Sequence, residues 1–343
     1  MSRNGNPGRV TIEDVAREAD VSYATVSRVV SGKGYVSLET RTRVMDAVAR
    51  TGYIVNRRAQ GLASGRAQVV GLVVPDLDTS YIGEIVRGID EELAAVSYDL
   101  MLYTTHKRAH RESAFVANVA AGLADGLLLV LPTDPTAYLD SIRRRSFPFV
   151  LIDHGGLGDE GPSVGATNHQ GAYDATSYLI GLGHRRIGFV TGNLELGCAG
   201  ERLTGYRTAL CEHRLAIDPA LIREGDFMQP RGFDCAAALL SLPEPPTAIF
   251  ASNDVSAFGV IEAIRDRGLR IPDDVSVIGF DDIPTAASIH PPLTTVRQPL
   301  EEMGRQATRM LLEFITNRER HVERIDLPTS LVIRGSCRSL AEA

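Results

Sequence analysis

Tyr23, Ala24, Ser27 and Arg28 fall together on one side of a short segment, opposite Val26, Val29 and Val30. A ring, a methyl, a hydroxyl and a guanidinium on one narrow ridge match the edges of base pairs. Arg28 can donate two parallel bonds to guanine O6 and N7, Ala24 can pack on a thymine methyl, and Tyr23 can reach a base edge or sugar. Ser22 and Thr25 beside them suit phosphate oxygens. A second set lies downstream, where Asp76, Asp153, Asn253 and Asp281 each follow an apolar, strand-like run. Open parallel sheets bind ligands outside the carboxyl ends of their strands, so these residues are candidates for holding a polar ligand. The neighbouring Asp254 reads as a helix cap.

The first set needs helices to hold it. Within Thr11 to Ala19 the apolar residues Ile12, Val15, Ala16 and Ala19 recur at helical spacing, with Thr11 as N-cap and Asp14 completing a capping-box-like start. Asp20-Val21-Ser22 breaks that helix, and Ser22 can cap a second one. Two helices across a tight turn form a helix-turn-helix. The turn commonly needs a left-handed residue, usually Gly; Asp20 stands there instead, and Asp is among the few other types that visit that region. A third helix spans Leu38 to Arg50, with Val44, Ala47 and Val48 inward, and Gly52-Tyr53 ends it. Asn56 to Ser64 then reads as a short, weakly helical link.

The charge is divided to match. The chain carries a formal −7, yet residues 1–66 hold 11 Lys/Arg against 6 Asp/Glu, which leaves the remainder at −12. A basic head on an acidic body predicts that only the head meets a polyanion. At 343 residues, 44% of them hydrophobic and 23% charged, the chain is long enough for more than one core and is neither disordered nor fibrous. Apolar runs such as GLLLVL are of strand length, which suits buried strands and not a membrane span. MSRNGNPGR has no apolar signal region, so the expected location is the cytoplasm, on the nucleoid. Cys198, Cys211, Cys235 and Cys337 show no metal or CxxC spacing and are expected as reduced thiols.

From Val69 onward VVGLVV, DLMLYTT, DGLLLVL, FPFVLI, RIGFVTG, TAIFAS and DVSVIGF alternate with helical stretches such as Ile82 to Ala95, Gln170 to Leu182 and Ala257 to Arg267. Such alternation predicts an α/β body of two doubly wound lobes with parallel sheets.

VTIEDVAREADVSYATVSRVVSG, VSLETRTRVMDAVARTGYIVNRRAQGLASG and SNDVSAFGVIEAIRDRGLRIPDDVSVIGFDDIPTAASIHPPLTTVRQP together resemble the lactose/galactose repressor (LacI/GalR) family over about residues 9 to 338. The resemblance implies a helix-turn-helix DNA-binding domain (9–56), a hinge helix (57–66) and a type I periplasmic-binding-protein-like core (67–338). Within that core it implies a first lobe of about 67–166 and 298–326 and a second of about 167–297 and 327–338. It places Thr11, Ser22, Tyr23, Ala24, Thr25, Ser27, Arg28, Asn56, Arg57, Ala59 and Leu62 on DNA, Tyr23 and Ala24 choosing operator bases and Leu62 wedging the minor groove. Gly61 departs from the helix-favouring residue often found beside that leucine.

In the core the resemblance makes Arg202 a ligand clamp, Asp153, Asn253 and Asp281 its polar partners, Phe227 a stacking ring, and Tyr81 and Cys198 further lining residues. Val130 and Val255 stand where polar groups often reach the ligand, which argues against a lactose-like effector. The expected protein is a repressor of carbohydrate uptake or catabolism genes controlled by a sugar-like effector, with a purine or other metabolite as the alternative.

An enzyme reading finds little support. No GxxxxGK[ST] or GxSxG occurs, GLGHRR follows a helix and not a strand, and the histidines lack metal spacing, so no cofactor is expected. A periplasmic sugar-binding protein should have a signal peptide and no basic head. No heptad tail follows GSCRSLAEA, which predicts a homodimer on a palindromic operator.

Overall fold

A computed structural model describes residues 10–31, 34–53, 66–105, 109–132, 136–155, 161–317 and 324–340. Asn56, Arg57, Ala59, Gly61 and Leu62, and with them the expected hinge helix, lie outside those residues. The chain divides into two compact units, residues 1–67 and 68–343.

In the first unit, α1 (Ile12–Glu18) starts from a full capping box, the Thr11 hydroxyl accepting from Asp14 N while the Asp14 carboxylate accepts from Thr11 N. The Thr11 N–H, with the Thr11 hydroxyl and Arg17 beside it, holds the Asp14 carboxyl below its usual range. Asp20 has φ 50°, the left-handed turn expected of it. The Ser22 hydroxyl then accepts from Thr25 N at 3.1 Å, starting α2 (Tyr23–Ser31). α3 (Leu38–Thr51) closes the unit and ends on Gly52 at φ 65°, whose N–H returns to the Val48 carbonyl. Val15, Val26, Val29, Val44 and Ala47 form the buried core, and Val30 and Val48 are only half-buried at its edge.

The second unit holds two sheets. In the first, β1 (Val69–Val74), β2 (Asp99–Thr104), β3 (Gly126–Val130), β4 (Phe149–Ile152), β5 (Ser163–Ala166) and β11 (Ile325–Leu327) run β11-β5-β4-β3-β1-β2, all parallel. In the other, β6 (Ile187–Val190), β7 (Ile222–Arg223), β8 (Ala248–Ala251), β9 (Ser276–Asp281), β10 (Thr294–Arg297) and β12 (Ser330–Val332) run β12-β10-β9-β8-β6-β7, parallel except where β12 meets β10.

Helices cover these sheets: α4 (Ser80–Ala95), α5 (Ala109–Asn118), α6 (Thr136–Arg144), α7 (Asn168–Gly181), α8 (Gly197–Glu212), α9 (Gln229–Leu240), α10 (Asp254–Asp266), α11 (Pro284–Ser288) and α12 (Leu300–Thr316). α4 and α12 cross closely because each contributes a bare glycine. A Cβ on Gly88 would collide with the Glu301 carbonyl oxygen, and one on Gly304 with that of Ile85.

The chain passes between the sheets three times, at Thr167, at Gln298-Pro299 and at Pro328-Thr329. The first and third passages are tied together, Thr329 N donating to Thr167 Oγ1 at 2.9 Å. Strands β5, β7, β10, β11 and β12 are absent from the periodicity reading. They are two to four residues long, and SVGA, IR and IDL lack the apolar run that marks a buried strand. Several helices start earlier than their apolar stripes: α4 at Ser80, α7 at Asn168 and α10 at Asp254.

Candidate functional site

On the first unit, Tyr23, Ala24 and Arg28 are exposed along α2, Tyr23 by 57%, while Val26 and Val29 hold the opposite face in the core. Thr25 and Ser27 are half-buried between them. The hydroxyls of Thr11 and Ser22 are already engaged as helix caps, Ser22 Oγ also lying 2.9 Å from Thr25 Oγ1. They therefore shape the helix starts. Tyr23, Ala24 and Arg28 form the exposed ridge of α2.

In the second unit a cavity of about 300 Å³ opens between the two sheets. All of Tyr81, Asp153, Cys198, Arg202, Phe227, Asn253 and Asp281 line it, as does Asp76. Arg202 is buried at 2% exposure on the second turn of α8. Its Nε donates to Asn168 Oδ1 at 2.8 Å and its Nη1 to the Ser252 carbonyl at 2.6 Å. The guanidinium lies over the Phe280 ring at 3.9 Å and faces Asp153 at 3.8 Å and Asp281 at 3.7 Å. One cation thus joins a carboxylate from each lobe. Burial by itself would lower the arginine pKa, but the anionic groups around it outweigh burial and raise it.

Each carboxylate has a second support. Tyr81 donates its hydroxyl to Asp153 at 2.6 Å, and burial together with that carboxylate pushes the Tyr81 phenol well above its usual range. Gln298 donates its side-chain amide to Asp281 at 2.7 Å. Burial raises the Asp281 carboxyl to about 7 despite Arg202 and Gln298. Burial also raises Cys198, which sits beside Asp153 as an inert thiol.

Asp254 is not the cap of its helix. That role belongs to Asn253, whose Oδ1 accepts from Ser256 N at 2.9 Å while its amide reaches the Phe227 carbonyl at 3.1 Å. Asp254 is fully buried, accepts from Thr295 Oγ1 at 2.5 Å and Ile283 N at 2.9 Å, and its carboxyl is pushed well above the usual range by burial and by Asp281. Val130 and Val255 do not line the cavity: Val130 belongs to the first-lobe core and Val255 packs against it. Leu131, one residue on, takes the wall position.

Leu131, Asp153, Phe227 and Asp281 all have positive φ, at 45°, 53°, 68° and 118°. Strained backbone of this kind, about 1–3 kcal/mol per residue, persists where the surroundings over-determine it and gathers at functional sites. Two contributors escaped the sequence reading. Asn168 follows β5, a strand too short to recognise, and Gln298 lies on an inter-lobe passage with no apolar run before it.

Gly192 is another. A Cβ there would strike the Phe227 ring, so the bare glycine is what lets the ring lie against the cavity. Gly192→Ala is expected to swing Phe227 out of place and to weaken ligand binding by about tenfold, ~1.4 kcal/mol. A crystal structure of the variant with the ring unmoved would refute this.

Comparison with known proteins agrees with both units. Residues 11–56 match the model for bacterial regulatory proteins of the lacI family, and residues 176–337 that for a periplasmic binding protein-like domain. The chain is 35% identical to catabolite control protein A of Priestia megaterium over 328 residues, 95% of this chain and 99% of that protein. It is 34% identical to the HTH-type transcriptional repressor PurR of Haemophilus influenzae over 334 residues, 96% and 99%. Among solved structures, the lac repressor dimer bound to operator and the anti-inducer ONPF superposes with a TM-score of 0.86 at 30% identity, covering 96% of this chain and all of that one. The transcriptional regulator CelR–cellobiose complex gives 0.73 at 33% identity, with the same coverage of both chains.

Proposed function

The chain belongs to the lacI family of bacterial regulatory proteins and is a DNA-binding transcriptional repressor with an effector-binding core, and we propose that its effector is sugar-like and its targets are carbohydrate uptake or catabolism genes. On this reading it works in the cytoplasm as a homodimer on a palindromic operator. Among the described residues no helix is long and apolar enough to cross a membrane.

The observation that carries the effector reading is the Arg202 clamp between Asp153 and Asp281 on the cavity wall. Carboxylates accept from ligand hydroxyls and a guanidinium donates to them, which is the pairing a polyol offers. The Phe227 ring, within 5.7 Å of the guanidinium, supplies an apolar platform. The same ring favours a second reading, a flat heteroaromatic base with its ring nitrogens on the carboxylates. Relatives support the first: CelR is seen with cellobiose.

Tyr23, Ala24 and Arg28 read the operator, and effector binding shifts one lobe against the other. Typical couplings in such systems are about 1–3 kcal/mol. The test is a thermal-shift screen of the full chain against sugars and purines, followed by operator titration with each binder. Operator is selected beforehand from random duplexes. A protein that selects no duplex would sink the DNA reading, and one that binds purines but no sugar would replace the first effector reading by the second.

A further inference from the structure

Charge on the cavity wall divides one way. Arg202 is the only basic side chain lining it among the described residues, against five carboxylates: Asp76, Asp153, Glu195, Asp226 and Asp281. The guanidinium is also committed. It has given bonds to Asn168 and the Ser252 carbonyl, lies on the Phe280 ring, and faces two buried carboxylates. An anion entering the cavity therefore meets a cation already outnumbered, with three more carboxylates beside it.

Helix starts pull the other way. α4, α8, α9 and α10 all begin at the cavity wall, behind Thr79, Leu196, Met228 and Asn253, and of these only α10 has a side-chain cap. Each such end is worth roughly half a positive charge. Four of them leave the wall at about −2 when every carboxylate is ionised. Their N–H groups can take a ligand's oxygen acceptors while the carboxylates take its donors. A hydroxyl satisfies both demands. A phosphate or a carboxylate satisfies only the weaker one.

We propose that the cavity rejects anionic sugars and selects a hydroxyl-rich ligand carrying a protonated amine, an amino sugar in preference to its neutral parent. This rests on the sugar-effector reading above and narrows it. Glu195 and Asp226, both from the second lobe and both more exposed than the Arg202 clamp, are the residues that set the preference for the amine. Their exposure limits the gain to that of a solvated ion pair, about fivefold in affinity.

The experiment is calorimetry and thermal shift on the full chain with charge-matched sets: neutral mono- and disaccharides, their amino-deoxy counterparts, and the corresponding phosphates and uronates. Within a set that binds, the amine is expected about fivefold tighter than its parent at low ionic strength. The gap should narrow as salt is raised toward about 1 M, where the Debye length falls to about 3 Å. The phosphate and uronate should give no shift. Combining Glu195→Gln with Asp226→Asn should bring the ratio of amine to parent affinity toward one. A phosphate or uronate that binds tighter than its parent, or an amine no better than its parent at low salt, overturns the charge selection while leaving the sugar reading in place. Silence from sugars of every charge overturns the sugar reading and this proposal with it.

Discussion

Replacing Arg202 by Met is expected to abolish effector binding and to destabilise the 68–343 unit by about 3–5 kcal/mol, the usual cost of leaving buried charges without their partner. Asp153 and Asp281 would face each other across an apolar side chain, and Asn168 and the Ser252 carbonyl would lose their donors. The deficit has a pH signature. Asp281 already titrates near 7 because burial outweighs the arginine, so between the unfolded value of 3.8 and about 7 the folded state holds the extra proton. Its contribution to stability is full below the unfolded value and is lost as pH rises through the folded one. Arg202 lowers the Asp281 value, so without it the folded value of that carboxyl rises further. Urea denaturation should therefore find the variant closest to the parent near pH 5 and furthest above pH 7. A deficit independent of pH would show that the carboxylates do not depend on the guanidinium.

Arg28→Ala should lower operator affinity by about 1–3 kcal/mol per half-site, hence about 2–6 kcal/mol for a dimer on a palindrome. Relaxed selectivity should appear at one symmetric base pair only. The α2 core face is formed by Val26 and Val29, not by Arg28, so the fold of the first unit should persist. Selection from random duplexes gives the readout. A uniform loss across all sequences, with a shallower salt slope, would instead make Arg28 a phosphate contact. Tyr23 and Ala24 share the same exposed ridge, and exchanging them for other residues should change which bases are chosen more than how tightly any duplex is held.

The three helices of the first unit were legible because each announces itself locally. Thr11 with Asp14, and Ser22 ahead of α2, are caps written locally in the chain, and valines at helical spacing define the inward face. The left-handed turn at Asp20 was legible for the same reason: only a few residue types tolerate it. The major strands of both sheets were legible as continuous apolar runs. The strands that were not, such as β5 and β11, pair at the border of the first sheet, where partner strands and covering helices stabilise a segment whose own composition does not.

The sequence by itself determined the helix-turn-helix, the parallel α/β character of the body, and the residue types available at the ends of its strands. Those follow from short-range rules: capping, periodicity and the position of polar groups after apolar runs. Only the tertiary structure decided which of those groups meet. Asp153 and Asp281 are far apart in the chain and lie in different lobes, and they converge on Arg202 because the chain passes between the lobes three times. Asn168 and Gln298 matter because they sit on two of those passages. Asp254, two residues from Ser252 and next to Asn253, became a buried brace and not a cap, because β10 brings Thr295 beneath it. Burial and pairing across long sequence separations set charge states, and no local pattern encodes them.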